Sequence, residues 1–104
     1  MPLKMELKID EGIIITDKLG NENKKPVSIV LRDISFDVYG RYALFEMIDN
    51  GTRDYFALSR HERRRFSPDI NLLLRMLPDE NRSYIALYLP RHVKVERINS
   101  HSID

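Results

Sequence analysis

Near the start of the chain Leu3, Met5, Leu7 and Ile9 alternate with Lys4, Glu6 and Lys8, and this period of two predicts a half-buried strand. Gly12 interrupts the pattern, and Ile13, Ile14 and Ile15 resume it as a short β-branched strand. The polar stretch 18–26, with a glycine, two asparagines and a closing proline, reads as a loop. From Val27 to Tyr39 the chain reads as one long strand with a change of phase. Val27, Ile29 and Leu31 hold odd positions, whereas Ile34, Phe36 and Val38 hold even ones. A slip of one residue would turn the second half inside out, so a β-bulge is expected near Arg32 and Asp33.

The segment Tyr42–Ser59 carries the strongest local signal. Two apolar stretches flank Asp49-Asn50-Gly51-Thr52, and Asn-Gly supplies the positive φ angles that a type I′ turn requires. With Asn50-Gly51 at the turn, Asp49 faces Thr52. Phe45 then faces Phe56 and Ala43 faces Leu58 on the core side, with Met47 beside them. The other side places Glu46 opposite Tyr55, Ile48 opposite Arg53 and Tyr42 opposite Ser59.

Beyond the hairpin, Ser59-Arg60-His61-Glu62 has the form of a capping box, and Ser67-Pro68 offers a second helix start. Ile70, Leu73, Leu74 and Leu77 follow at helical spacing until Pro78 stops them. The expectation is a short basic turn over 60–66 and a helix over about 68–77. Tyr84–Leu89 and Val93–Ile98 read as the last strands, joined through Pro90-Arg91-His92 so that Leu89 faces Val93 and Leu87 faces Val95. Residues from about 99 on are expected to fray. Together these elements describe a single domain over 1–104, mainly β with one short helix. Its five to seven antiparallel strands would form a barrel or a strongly twisted sheet, and an OB-like strand order fits.

A length of 104 residues, 42% hydrophobic and 32% charged, fits one globular domain. The longest apolar run, Ile13–Ile15, is far short of a membrane span, and the start of the chain does not read as a signal peptide, so a cytoplasmic protein is expected. With no cysteine there is no disulfide, no thiolate nucleophile and no cysteine-held metal. His61, His92 and His101 are scattered, no Gly-x-Ser-x-Gly occurs, and the four glycines are isolated, so no catalytic, metal or cofactor site is expected. Glu6-Leu7-Lys8 matches half of a nuclease site but lacks the upstream acid.

Charge redirects attention to the second half of the chain. The net charge is only +1, which argues against strong sequence-independent duplex binding. Residues 53–65, however, hold five arginines (53, 60, 63, 64, 65) against Asp54 and Glu62, and residues 91–97 hold Arg91, Lys94 and Arg97 against Glu96. Residues 32–49 carry the opposite bias, with two arginines against four acids. Arginines bind phosphate bidentately, and tyrosines on a sheet offer flat faces on which bases stack. Tyr84 and Tyr88 share the non-core face of the next-to-last strand. Tyr42, Arg53 and Tyr55 share that of the hairpin, beside Arg60, Arg63, Arg64 and Arg65.

Those seven residues are the candidate nucleic-acid-binding set, and the expected function is a non-catalytic module for single-stranded DNA or RNA. The alternative is a protein-interaction or self-assembly module, a homodimer paired through a sheet face or an open edge, for which Leu3–Ile9 and Val93–Ile98 are the candidate edges. A third reading comes from a resemblance. Arg60-His61-Glu62-Arg63-Arg64 followed by Asn81-Arg82-Ser83-Tyr84-Ile85-Ala86 is similar to the two-part cyclic-di-GMP signature of PilZ domains, which implies a regulator binding a dinucleotide through Arg60 and Arg64. Ala86 stands where that family has glycine, and too little chain follows it to complete a PilZ barrel, so membership is not inferred.

Overall fold

The computed structural model describes residues 3–17, 26–38, 40–59, 62–67, 70–74 and 82–99. They form nine strands: β1 (Leu3–Lys8), β2 (Glu11–Asp17), β3 (Val27–Asp37), β4 (Gly40–Asp49), β5 (Thr52–Ser59), β6 (Arg63–Ser67), β7 (Ile70–Leu74), β8 (Arg82–Tyr88) and β9 (Val93–Asn99). All pairings are antiparallel. One sheet has the order β1-β8-β7-β6 and the other β5-β4-β3-β2-β9. Their apolar faces meet in one core. Leu7, Leu72, Ile85 and Leu87 come from the four-stranded sheet, and Ile13, Ile29, Leu31, Ala43, Phe45, Phe56 and Leu58 from the five-stranded one. Each such aliphatic or aromatic side chain taken from water contributes roughly 1.5–3 kcal/mol. Face-to-face packing of two open sheets makes a sandwich, not the closed barrel that was one expectation.

The β4–β5 hairpin follows the sequence reading residue for residue. Asn50 (φ 52°) and Gly51 (φ 80°) make the turn, and Phe45 pairs with Phe56, Ala43 with Leu58 and Glu46 with Tyr55. The rings of Phe45 and Phe56 stack with centroids 5.3 Å apart, a cross-strand aromatic pair at the centre of the core. The bulge is also present. The β3–β4 ladder steps from Leu31 opposite Phe45 to Asp33 opposite Leu44, leaving Arg32 as the extra residue. This step keeps Leu31 and Ile34 on the same side. Phe36 continues that row past the end of the core and is exposed, so apolar phase alone does not imply burial at a strand's tip.

The bulge also anchors the crossing between sheets. Asp10, in the left-handed region at φ 72°, donates its amide to the Leu31 carbonyl at 2.7 Å. Its carboxylate meanwhile accepts from Arg32 Nη1 at 3.1 Å. Immediately after this corner lies Gly12, and a Cβ there would sit 2.3 Å from the Ile29 carbonyl oxygen. Glycine is what lets β2 lie this close to β3.

Two elements differ from expectation. Ile70–Leu74 is strand β7, inserted between β6 and β8 with Leu72 fully buried, and no helix occurs among the described residues. Helical spacing in a short apolar run is ambiguous, and pairing on both sides supplies more than helix propensity can; the remainder of the 68–77 segment lies outside the described residues. Likewise Arg63–Ser67 extends as β6 where a basic turn was expected. The capping-box signature does form a reciprocal pair. The Ser59 amide donates to Glu62 Oε1 at 2.7 Å, and the Glu62 amide to the Ser59 carbonyl at 3.0 Å. It closes the crossing from β5 to β6 instead of starting a helix.

A further difference is the last hairpin. β8 pairs with β1 and β7, and β9 pairs with β2, so Leu89 does not face Val93 nor Leu87 Val95. The hydrophobic match behind that expectation is satisfied differently. Leu87 and Val93 lie in the same core, with Leu89 and Val95 packed against it, but they reach it from opposite sheets. Loop residues 18–25 and tail residues 100–104 lie outside the described residues, and Asn99 still belongs to β9.

Candidate nucleic-acid interface

A sandwich leaves two outer faces, and the candidate residues divide between them. On the five-stranded sheet, the ladder registers line up Ile98, Gly12, Val30, Glu46 and Tyr55 in one row. Glu46 is only 7% exposed. Its carboxylate lies 3.5 Å from Arg32 Nε and 3.6 Å from Arg53 Nε. Burial pushes the Glu46 carboxyl up, but the guanidinium of Arg32, the Tyr55 side chain and the charge of Arg53 outweigh it and hold the group below the usual carboxylate range.

The consequence for stability has a definite sign. A carboxylate whose folded value is lowered contributes stability that is present above the ordinary range, near pH 4.3, and is lost as pH falls through the folded value. Glu46→Gln should therefore lower stability at pH 7 by about 2 kcal/mol. The gap to wild type should close on acidification, and urea midpoints of both proteins from neutral to about pH 3 check it. A gap that is independent of pH would mean that the network is not ionic.

This face keeps Tyr55 and Arg53 outward, at 54% and 61% exposure. The charge of Arg53, however, is committed to Glu46. Tyr42 sits opposite Ser59, four positions along β4 from Glu46 and so about 13 Å from the Tyr55 row. Arg64 stands opposite inward-facing Leu72, lies 5.2 Å over the Phe56 ring and pairs with Asp54 at 3.7 Å. It ties the edges of the two sheets together at their rim. Arg60 lies outside the described residues. The structure thus separates Tyr42 from Tyr55 and engages Arg64 with Phe56 and Asp54, its side chain staying 42% exposed.

The outer face of the four-stranded sheet has the opposite character. Leu72 points into the core together with Leu87 opposite it, so Ala86 and Tyr88, which alternate with Leu87 along β8, lie on the other side. Lys4, Ala86, position 73 and Arg63 form one row, and Tyr88, position 71 and Arg65 the next. Glu6 opposite Tyr84 and Lys8 opposite Arg82 complete the face. Lys4, Lys8, Arg63 and Arg65 are exposed, and Tyr88 is 40% exposed. Among the described residues, five cations (Lys4, Lys8, Arg63, Arg65, Arg82) stand against one carboxylate, Glu6, which bonds Arg82 at 3.0 Å. The local excess is four positive charges, from five minus one, in a chain whose total is +1.

Arg63 and Arg65 belonged to the sequence-derived set. Lys4, Lys8 and Arg82 did not, because the pairing of β1 with β8 joins the two ends of the chain and leaves no local signature. The arrangement can hold a polyanion, with phosphates at the flanking strands and planar rings between them. Of the PilZ-like pattern the structure describes only part. Arg64 and fully buried Ser83 both point inward, and Arg60 and Asn81 lie outside the described residues.

Comparison of the chain with family models, with characterised proteins and with solved structures gives no match. Among the described residues, no group of three or more His, Asp or Glu side chains is placed to hold a metal, and no helix is long and apolar enough to cross a membrane.

Proposed function

We propose that this chain is a small β-sandwich module that binds single-stranded nucleic acid on the outer face of its four-stranded sheet. The observation that carries the reading is the placement of Tyr84 and Tyr88 on central strand β8, between the cations of β1 and those of β6. Bases stacked on the rings would have their phosphates within reach of Lys4 on one side and Arg63 or Arg65 on the other. Ala86, between the two tyrosines, is fully buried, so contact with a base would be through the two rings. Stacking contributes ~1–3 kcal/mol per base and tolerates any sequence, because every base has a π-face. A sheet face suits an unpaired strand better than the major groove of a duplex, which admits a helix or a narrow ribbon.

Fluorescence anisotropy with a labelled oligonucleotide tests this. Affinity should fall with salt along a log–log slope of about −0.7 per phosphate engaged, giving about −3 if four cations take part. Tyr88→Ala should weaken binding on the order of tenfold, whereas Tyr55→Ala on the other sheet should leave it unchanged. Binding that ignores salt and Tyr88 would refute the proposal.

A further inference from the structure

Among the described residues each of the two sheets ends in two edge strands, and the four are not equivalent. On β1 the Lys8 amide is taken by Glu11 Oε1 at 2.8 Å. On β5 the Tyr55 amide is taken by Asp54 Oδ1 at 2.9 Å and the Ser59 amide by Glu62 Oε1 at 2.7 Å. A side-chain carboxylate on an edge amide removes a donor that another strand would need, one way of blunting an edge. β6 is five residues long and its pairing with β7 is broken by a register shift between Arg65 and Ser67. β9 has neither defence, and only its first amide, that of Val93, is otherwise engaged among the described residues, donating to the Pro90 carbonyl at 3.1 Å. It is seven residues long, its ladder with β2 runs unbroken from Val93 to Asn99, and among the described residues no carboxylate caps its amides.

We infer that β9 pairs with β9 of a second copy of this chain, antiparallel and centred on Val95, making a ten-stranded sheet across a two-fold axis. The sequence of the strand selects both the partner and the register. With Val95 on the axis, Lys94 faces the partner's Glu96 and Glu96 faces the partner's Lys94, so two opposite-charge pairs form on the outer face. Shifting the axis by one residue puts Lys94 against Lys94 or Glu96 against Glu96, and like charges directly opposite are destabilising. An axis between residues would join the core face of one copy to the wet face of the other. Charged residues normally protect an edge; here their alternation makes the edge complementary to itself. Such an isologous contact closes at two copies, so it does not propagate into a fibre. It also leaves the outer face of the four-stranded sheet open.

Lys94 and Glu96 lie 2.7 Å apart within one chain, and both are at least half exposed. Exchanging them preserves that internal pair. Sedimentation velocity on the full chain should show a monomer–dimer equilibrium, with the dimer evident by about 100 μM. Lys94→Glu and Glu96→Lys should each weaken dimerisation about tenfold by creating two like-charge contacts, and the double exchange should restore it. Circular dichroism of each variant separates loss of the contact from loss of fold. Because the chain has no cysteine, Val95→Cys adds an independent readout. Facing positions in an antiparallel ladder have Cα atoms about 4.5–5.5 Å apart, within disulfide reach, so this variant should oxidise to a covalent dimer. A chain monomeric at about 100 μM, a double exchange no better than the single changes, or a dimer that Val95→Cys does not cross-link would each overturn the inference. None of these outcomes bears on oligonucleotide binding.

Discussion

Gly12→Ala is expected to lower the stability of the fold by about 3 kcal/mol, a thermal midpoint shift of roughly 12–24 °C for a domain of this size. A Cβ at this position would meet the Ile29 carbonyl oxygen at 2.3 Å and the Val30 Cα at 2.9 Å. Both are backbone atoms of a strand held on its other side by β4, so no side-chain rotation relieves the contact. Either β2 moves away from β3, which stretches their ladder and lifts Ile13 and Ile15 from the core, or the corner at Asp10 opens. Gly51→Ala is the control. Nothing lies within 4 Å of its Cβ position, but its φ of +80° is one that alanine adopts with strain, so a loss of about 1 kcal/mol is expected there. Differential scanning calorimetry on the two variants separates a steric requirement from a conformational one. Equal effects would contradict the close approach of β2 and β3.

The second large effect concerns binding. Reversing both exposed arginines of β6, Arg63→Glu with Arg65→Glu, is expected to weaken oligonucleotide affinity on the order of 100-fold at ~0.1 M salt. At 4 Å in water a unit-charge contact contributes about 1 kcal/mol, and a reversal exchanges attraction for repulsion, about 2 kcal/mol per site. Screening at this ionic strength removes about a third to a half of the total, leaving about two factors of ten. Arg53→Glu, on the other sheet, should change affinity little, because Arg53 is already paired with Glu46. Anisotropy titrations on both variants check this. Comparable losses would mean that binding follows net charge and not this face.

Much of the fold can be read from residues that interact locally. The Asn50-Gly51 turn sets the β4–β5 register through the φ angles it demands. The change of apolar phase at Arg32 locates the bulge, because a strand cannot bury both faces of its pleat in one core. Leu3–Ile9 and Val93–Ile98 were the candidate edges, and β1 and β9 are edge strands. What local pattern cannot supply is which sheet a strand joins. Ile70–Leu74 carries helical spacing and strand-compatible side chains alike, and its place between β6 and β8 decides the matter. Leu87 and Val95 do share a core, but across the sandwich and not across a ladder.

The candidate site was legible to the same degree and for the same reason. That Tyr84 and Tyr88 share a face follows from alternation, whereas Arg63 and Arg65 share one only because the expected turn over 60–66 extends as β6. That all four share one face with Lys4 follows only from β1-β8-β7-β6 order, set by contacts between residues about 80 apart in the chain. The earlier grouping around Tyr42, Arg53 and Tyr55 treated each exposed cation as free. Glu46 and Asp54, which neutralise Arg53 and Arg64, became visible as their partners only in three dimensions.

The central claim assigns binding to one face of one sheet, and amide chemical-shift mapping tests it most directly. On titration with a short single-stranded oligonucleotide, the largest perturbations should fall on the amides of Lys4, Tyr84, Ala86, Tyr88, Arg63 and Arg65, with those around Tyr55 unmoved. Perturbations centred on Tyr42, Arg53 and Tyr55, or none at saturating oligonucleotide, would contradict it.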